Sequence, residues 1–161
     1  EWEDVQHLLS AMSGKEVRSK THRLLKDREE LLLSTTSDKT KVQYEITTAI
    51  NQIEVPIRLS FHDVDNIGET GSHVLYVDKE TLKYPLKLRK WQKGDYFYPL
   101  GMKGRKKLSK YFKDEKVSIM AKEEQWLLCS EDHIVWVVGK RPDDRFKVTE
   151  KTRNILRVIL N

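Results

Sequence analysis

Residues 84–108 read YPLKLRKWQKGDYFYPLGMKGRKKL, and the organisation of the whole chain follows from this stretch. Over residues 86–91, Leu86 and Leu88 alternate with Lys87, Arg89 and Lys90, the period-2 pattern of a strand with one basic face. A Gly/Pro-rich connection follows, through Gly94, Pro99, Gly101 and Gly104. From Arg105 the spacing predicts a helix to about residue 113. At ~100° per residue, Lys106, Lys107, Lys110 and Lys113 gather on one side, and Leu108, Tyr111 and Phe112 on the side that docks. Like charges four residues apart cost a few tenths of a kcal/mol per pair, a cost that bound phosphates would offset. Gly101 and Gly104 let the backbone turn tightly into the helix start, where free N–H groups favour an anion. The G-x-x-x-x-G-K-[ST] spacing of a nucleotide P-loop is missing, so a nucleic-acid phosphate is the expected anion.

Charge distribution points the same way. Residues 83–122 carry 13 Lys or Arg against Asp95, Asp114 and Glu115, a net of +10, while the remaining 17 basic and 22 acidic residues carry −5. A field this lopsided implies a polyanionic partner met by one region, rather than a lysine-rich face kept for solubility. Trp91 and Tyr96 flank the basic strand and are read as core before stacking platforms.

Outward from there, 161 residues suffice for one domain or two small ones, with no need of disulfides or metals for stability. Cys129 is the single cysteine, which excludes an internal disulfide and a cysteine zinc cluster and fits a reducing cytoplasm. No apolar run approaches ~18 residues and no signal-peptide layout is present, so no membrane is expected. The chain begins at Glu1 rather than Met, as expected of a portion of a longer protein. Residues 4–12 pattern as a short amphipathic helix, Thr21 could cap a helical turn through Leu24 and Leu25, and residues 30–34 (ELLLS) read as a strand. Residues 42–46 and 53–61 alternate as strands, the second edge-placed or bulged at Pro56. Residues 65–72 (DNIGETGS) are turn chemistry before a strand at 74–77. A helical turn is expected at 118–124, a hairpin at 126–129 and 134–138, and a last strand at 155–160. The expected class is α+β, small mixed or antiparallel sheets with short helices, in two subdomains: 1–78 linking and 79–161 nucleic-acid-binding.

No catalytic set emerges. The five histidines never fall at metal spacing, and no G-x-S-x-G accompanies a triad. His62, Asp63 and Asp65 read as surface groups beside a turn, Asp143, Asp144 and Arg145 as local pairs, and Cys129 as a small core residue.

The run 84–108 resembles the signature segment of the C-terminal domain of bacterial tRNA(Ile)-lysidine synthetases: a strand with an R-x-W-like end, then G-D-x-F, P-x-G and a K-K-L start. The tail is similar too, through 114–117 (DEKV), 134–141 (IVWVVGKR) and 146–149 (FKVT). The likeness covers residues 74–160 well and 1–73 less distinctively. It implies a parent enzyme that activates a cytidine of the tRNA(Ile) anticodon with ATP and magnesium and joins lysine to it. The family's S-G-G-x-D-S motif belongs to an N-terminal domain and does not occur in this sequence. The resemblance therefore implies no catalytic residue, metal or cofactor here, and tRNA(Ile) and the N-terminal catalytic domain as partners. Motif position and chemistry coincide at Arg89, Lys90, Lys103, Arg105, Lys106, Lys107 and Lys110, the expected phosphate contacts on the acceptor-stem side. Lys113 lies outside the strongest motif. The alternative class is a protein-interaction or homodimerisation domain pairing through the strand edge near 55–61.

Overall fold

Alternating apolar residues make strands the main regular element of the described chain, and the computed structural model describes residues 42–161 together with the backbone of three earlier strands. Those are β1 (Glu16–Arg18), β2 (His22–Asp27) and β3 (Glu30–Thr35), an antiparallel sheet in the order β1-β2-β3. β3 is the strand expected at ELLLS. Leu24 and Leu25, expected in a helical turn, instead lie in β2, paired with Leu33 and Leu32. Cross-strand pairing has overridden a weak local helical preference. The helix expected over 4–12 lies outside the described residues.

The rest of the chain builds two four-stranded antiparallel sheets. One contains β4 (Gln43–Ile46), β8 (Leu86–Lys90), β11 (Trp126–Ser130) and β12 (His133–Val137), in the order β12-β11-β8-β4. The other contains β5 (Gln52–Ile53), β6 (Leu59–Val64), β7 (Val74–Asp78) and β13 (Ile155–Leu160), in the order β5-β6-β13-β7. The single strand expected over 53–61 is thus split into β5 and β6. Pro56 lies in the break, where its missing N–H costs no ladder bond.

Facing side chains of the two sheets form one core, which includes Ile46, Leu59, Leu75, Leu86, Leu88, Leu128, Trp136 and Val158. A second core lies on the opposite face of the β11–β12 hairpin. There Leu127, Cys129, Ile134 and Val137 meet Leu108, Tyr111 and Phe112 of α1 (Leu108–Asp114) and Phe97 of β9 (Tyr96–Phe97). β11 alternates strictly, Leu128 toward the first core and Leu127 and Cys129 toward the second. Burial on both faces explains why these two strands read as continuous apolar runs rather than as alternation. The boundary expected near residue 79 falls inside this arrangement. β4 shares a sheet with β8, and β13 lies between β6 and β7.

A short α2 (Ile119–Glu123) follows, capped by the Ser118 hydroxyl accepting from Ala121 N at 3.1 Å. The Trp91 indole donates to the Lys122 carbonyl at 3.0 Å and packs edge-on against Phe112, which ties α2 to the second core. With helices this short and sheets antiparallel, the α+β reading holds.

Candidate nucleic-acid interface

The basic segment hangs from three carboxylates. The first is Asp95, at the end of the turn that leaves β8. Arg89 donates to it from both terminal nitrogens, at 2.9 and 3.0 Å, and Gln92 N donates at 2.7 Å. Both side chains are largely buried, Arg89 at 11% and Asp95 at 15% exposure, so this is a bidentate interior pair. Burial alone would lower the guanidinium pKa, but the Asp95 hydrogen bonds and charge outweigh it and leave it raised. The Asp95 carbonyl also accepts from Leu108 N at 2.9 Å. One residue of the G-D-x-F motif therefore fixes both the end of β8 and the start of α1. Arg89, expected on phosphate, is turned inward.

The second carboxylate is Asp114, at the far end of α1. Lys106 reaches it at 2.6 Å and Lys110 at 3.4 Å. The Lys106 hydrogen bond, then its charge and those of Lys110, hold this carboxyl below its ordinary pKa. The helix expected from Arg105 begins only at Leu108, because Lys106 and Lys107 form β10 (Lys106–Lys107), paired antiparallel with Phe97 and Tyr96. The four-lysine helical stripe is corrected accordingly: Lys110 and Lys113 stand on the helix, Lys106 and Lys107 on a strand. The anion site expected at the helix start is not formed either, since the loop runs into β10 and the Asp95 carbonyl takes the Leu108 N–H.

The third carboxylate is Asp143, whose side chain is fully buried. It accepts from Tyr98 N at 2.9 Å, Arg145 N at 2.7 Å, and the Arg145 guanidinium twice at 3.0 Å. Asp144 N donates to the Tyr98 carbonyl at 2.6 Å, and Leu100 N to the Pro142 carbonyl at 3.0 Å. Arg141 donates to the Leu100 carbonyl at 2.8 and 3.2 Å. Residues 98–101 are thus laced to residues 141–145. Beyond the lacing, Gly101 and Gly104 take φ of +81° and +79°, left-handed values that favour glycine, and the chain reverses toward β10.

The outside of this loop is basic and partly apolar. Lys103, Arg105 and Lys107 are exposed, as are Tyr96, Leu100 and Met102. The Arg105 guanidinium lies 4.8 Å over the Tyr96 ring, Tyr96 meets Tyr98 edge-on at 6.2 Å, and Arg145 lies 4.3 Å over Tyr98. Trp91 is core, as read, but Tyr96 is on the surface. Lys103, Arg105, Lys107 and Lys110 are exposed along the loop, β10 and α1. Lys90 does not join them. It lies over Trp126 at 4.4 Å, with Tyr44 against that ring, on the sheet face opposite Arg89. Sequence reasoning saw Asp143 and Arg145 as a local pair and missed that they, with Arg141, anchor the loop. The density of charge in GKRPDDR was the only signal.

Away from this surface, His62 and Asp63 are exposed, Asp63 pairs with Lys79 at 2.7 Å, and no group among the described residues could hold a metal. Cys129 is buried, and burial pushes its thiol up to about 11, far from a nucleophile's range. No described helix is long and apolar enough to cross a membrane.

Comparison with known proteins places this architecture. Family models described as the TilS substrate binding domain and the TilS substrate C-terminal domain match residues 1–36 and 86–159. A tRNA(Ile)-lysidine synthase of Parabacteroides distasonis is 44% identical over 97% of this chain and 36% of its own length. One of Bacteroides thetaiotaomicron is 36% identical over 95% of this chain and 34% of its own. The chain thus spans about a third of the length of these relatives. A crystal structure of a TilS C-terminal domain superposes with a TM-score of 0.61 at 20% identity, over 74% of this chain and 98% of that one, a likeness of fold.

Proposed function

The chain belongs to the tRNA(Ile)-lysidine synthase family, with residues 86–159 as its C-terminal domain, and from that premise we propose that it holds tRNA through the surface of residues 96–113. One observation carries this reading. Residues 96–113 contain six Lys or Arg and no acid, and Lys103, Arg105, Lys107, Lys110 and Lys113 are exposed while Asp95 and Asp143 lie largely buried beneath. Interior carboxylates fix the backbone, and the cations are left to face a polyanion. Contacts of this kind fix register and orientation on an RNA without reading its sequence.

On this reading the whole enzyme uses ATP with magnesium to activate the anticodon cytidine and joins lysine to it, in the cytoplasm. The residues of this chain position the acceptor-stem side of tRNA(Ile) and take no part in the bond-making. Arg89 acts from within, through Asp95, and Lys106 and Lys110 share Asp114 until RNA arrives. Dimerisation through residues 55–61 is the less favoured class, because Leu59 and Ser60 are already paired on both sides, to β5 and to β13.

Five phosphate contacts would make log affinity fall against log salt with a slope of roughly −3 to −5. Fluorescence anisotropy of labelled tRNA(Ile) with this chain measures it. A slope near zero, or wild-type affinity after joint replacement Lys103→Glu, Arg105→Glu and Lys107→Glu, overturns the reading. All three side chains are exposed, so their reversal leaves both cores intact.

A further inference from the structure

The six large apolar residues that the described surface exposes are Tyr44, Val55, Ile67, Tyr96, Leu100 and Met102, and three of the six fall within residues 96–102, β9 and the loop that follows it. That clustering departs from the scattered apolar exposure ordinary on a protein surface. The loop is also where the cations are. Tyr96, 39% exposed, has the Arg105 guanidinium over its ring, and the ladder continues through Tyr98 to Arg145. Phosphates alone ask only for charge. Two planar aromatics flanked by planar guanidiniums, in a segment that also exposes Leu100 and Met102, are what unpaired bases ask for, because every base has a face to stack.

Resting on the reading that this surface meets RNA, we infer that Tyr96, in the same segment as the exposed Leu100 and Met102, is a stacking platform for an unpaired nucleotide. A protein partner is the weaker fit, since the absence of any acid from residues 96–113 favours a polyanion. Arg105 is exposed, and its guanidinium makes a cation–π contact with Tyr96. Such a contact at an exposed site is weaker than base stacking on a ring. An incoming base therefore takes the ring, and Arg105 swings to the phosphate that accompanies it. Tyr98 stays in place behind, because its N–H is held by Asp143 and its ring is covered by Arg145. The same stretch thereby contacts backbone through Lys103 and Lys107 and one flipped or terminal base through Tyr96.

The test compares two RNA hairpins of identical stem, one blunt and one with a four-nucleotide unpaired 3′ tail, titrated against this chain and its variants. The tailed hairpin is expected to bind at least several-fold tighter. Tyr96→Ala should remove that advantage, weakening tailed binding about tenfold and leaving blunt binding within about twofold. Tyr96→Phe, which keeps the ring, should behave as wild type, and Tyr96→Leu, which keeps apolar bulk without a planar face, should not. Equal binding of the two hairpins, or equal loss on both with Tyr96→Ala, overturns the platform while leaving phosphate contact standing. No binding of either hairpin overturns both readings.

Discussion

Replacing Asp143 by alanine removes a buried carboxylate that ties the basic loop to the body of the protein. Its side chain is wholly buried and accepts four hydrogen bonds, two from backbone N–H groups and two from the Arg145 guanidinium. Breaking a buried ion pair by deleting one partner costs about 3–5 kcal/mol, and each stranded donor about 1–3 kcal/mol, but these overlap and do not add. Arg145 is 30% exposed, so water can rehydrate its cation, and the loss should be at the lower end, about 2–4 kcal/mol. With an m-value near 2 kcal/mol/M, the urea midpoint should fall by about 1–2 M at unchanged slope. Asp143→Asn keeps one acceptor oxygen and should cost about half as much. The assay is urea denaturation followed by tryptophan fluorescence, since Trp136 lies in the first core and Trp91 against the second. A midpoint within about 0.3 M of wild type for Asp143→Ala would refute the view that this carboxylate holds the loop down.

Arg89→Lys separates an interior role from a phosphate contact: the bidentate pair with Asp95 is lost, stability should fall by about 1–2 kcal/mol, and the salt slope for tRNA should not move. A slope shallower by about one unit at unchanged stability would put Arg89 back on RNA. Asp114→Asn releases Lys106 and Lys110 from their shared anion, so tRNA affinity in low salt should rise several-fold and the slope steepen. Weaker or unchanged binding would contradict this. Because the Lys106 hydrogen bond lowers the Asp114 pKa in the folded protein, its ion pairs contribute fully above the ordinary carboxylate range. That contribution is lost only as pH falls through the lowered value, so the effect of Asp114→Asn should be constant from pH 6 to 8, read as the ratio of affinities.

What the residues could reveal divides along physical lines. The apolar runs of β11 and β12 and the alternation of β4 and β8 were legible, because burial imposes a period that any reader can count. The apolar side of α1, Leu108, Tyr111 and Phe112, was legible for the same reason. Its start was not. Lysine is a good helix former, so nothing local warns that Lys106 and Lys107 leave the helix to pair with Tyr96 and Phe97. Leu24 and Leu25 were misread for the same cause, a partner strand outside the window being read. At the candidate interface the segment and its sign were legible from charge alone. Which cations face outward was not, because an arginine bound to Asp95 and one over Tyr96 have the same letter. Only geometry distinguishes Arg89 from Arg105.

The β11–β12 hairpin is a wall with a room on each side. Leu128 and Trp136 look into one core, Leu127 and Ile134 into the other, and no residue of the wall can be resized for the sake of one room without being felt in the other. If the proposed RNA contact holds, selection for a different grip is thereby pushed away from the wall and onto the loop of residues 98–105. That loop is fastened at Tyr98 and Leu100 and exposed at Met102 and Lys103. The fold thus sorts its own positions into those that cannot vary singly and those that can. Divergence among relatives should concentrate where the RNA would be touched, with the architecture held still behind it.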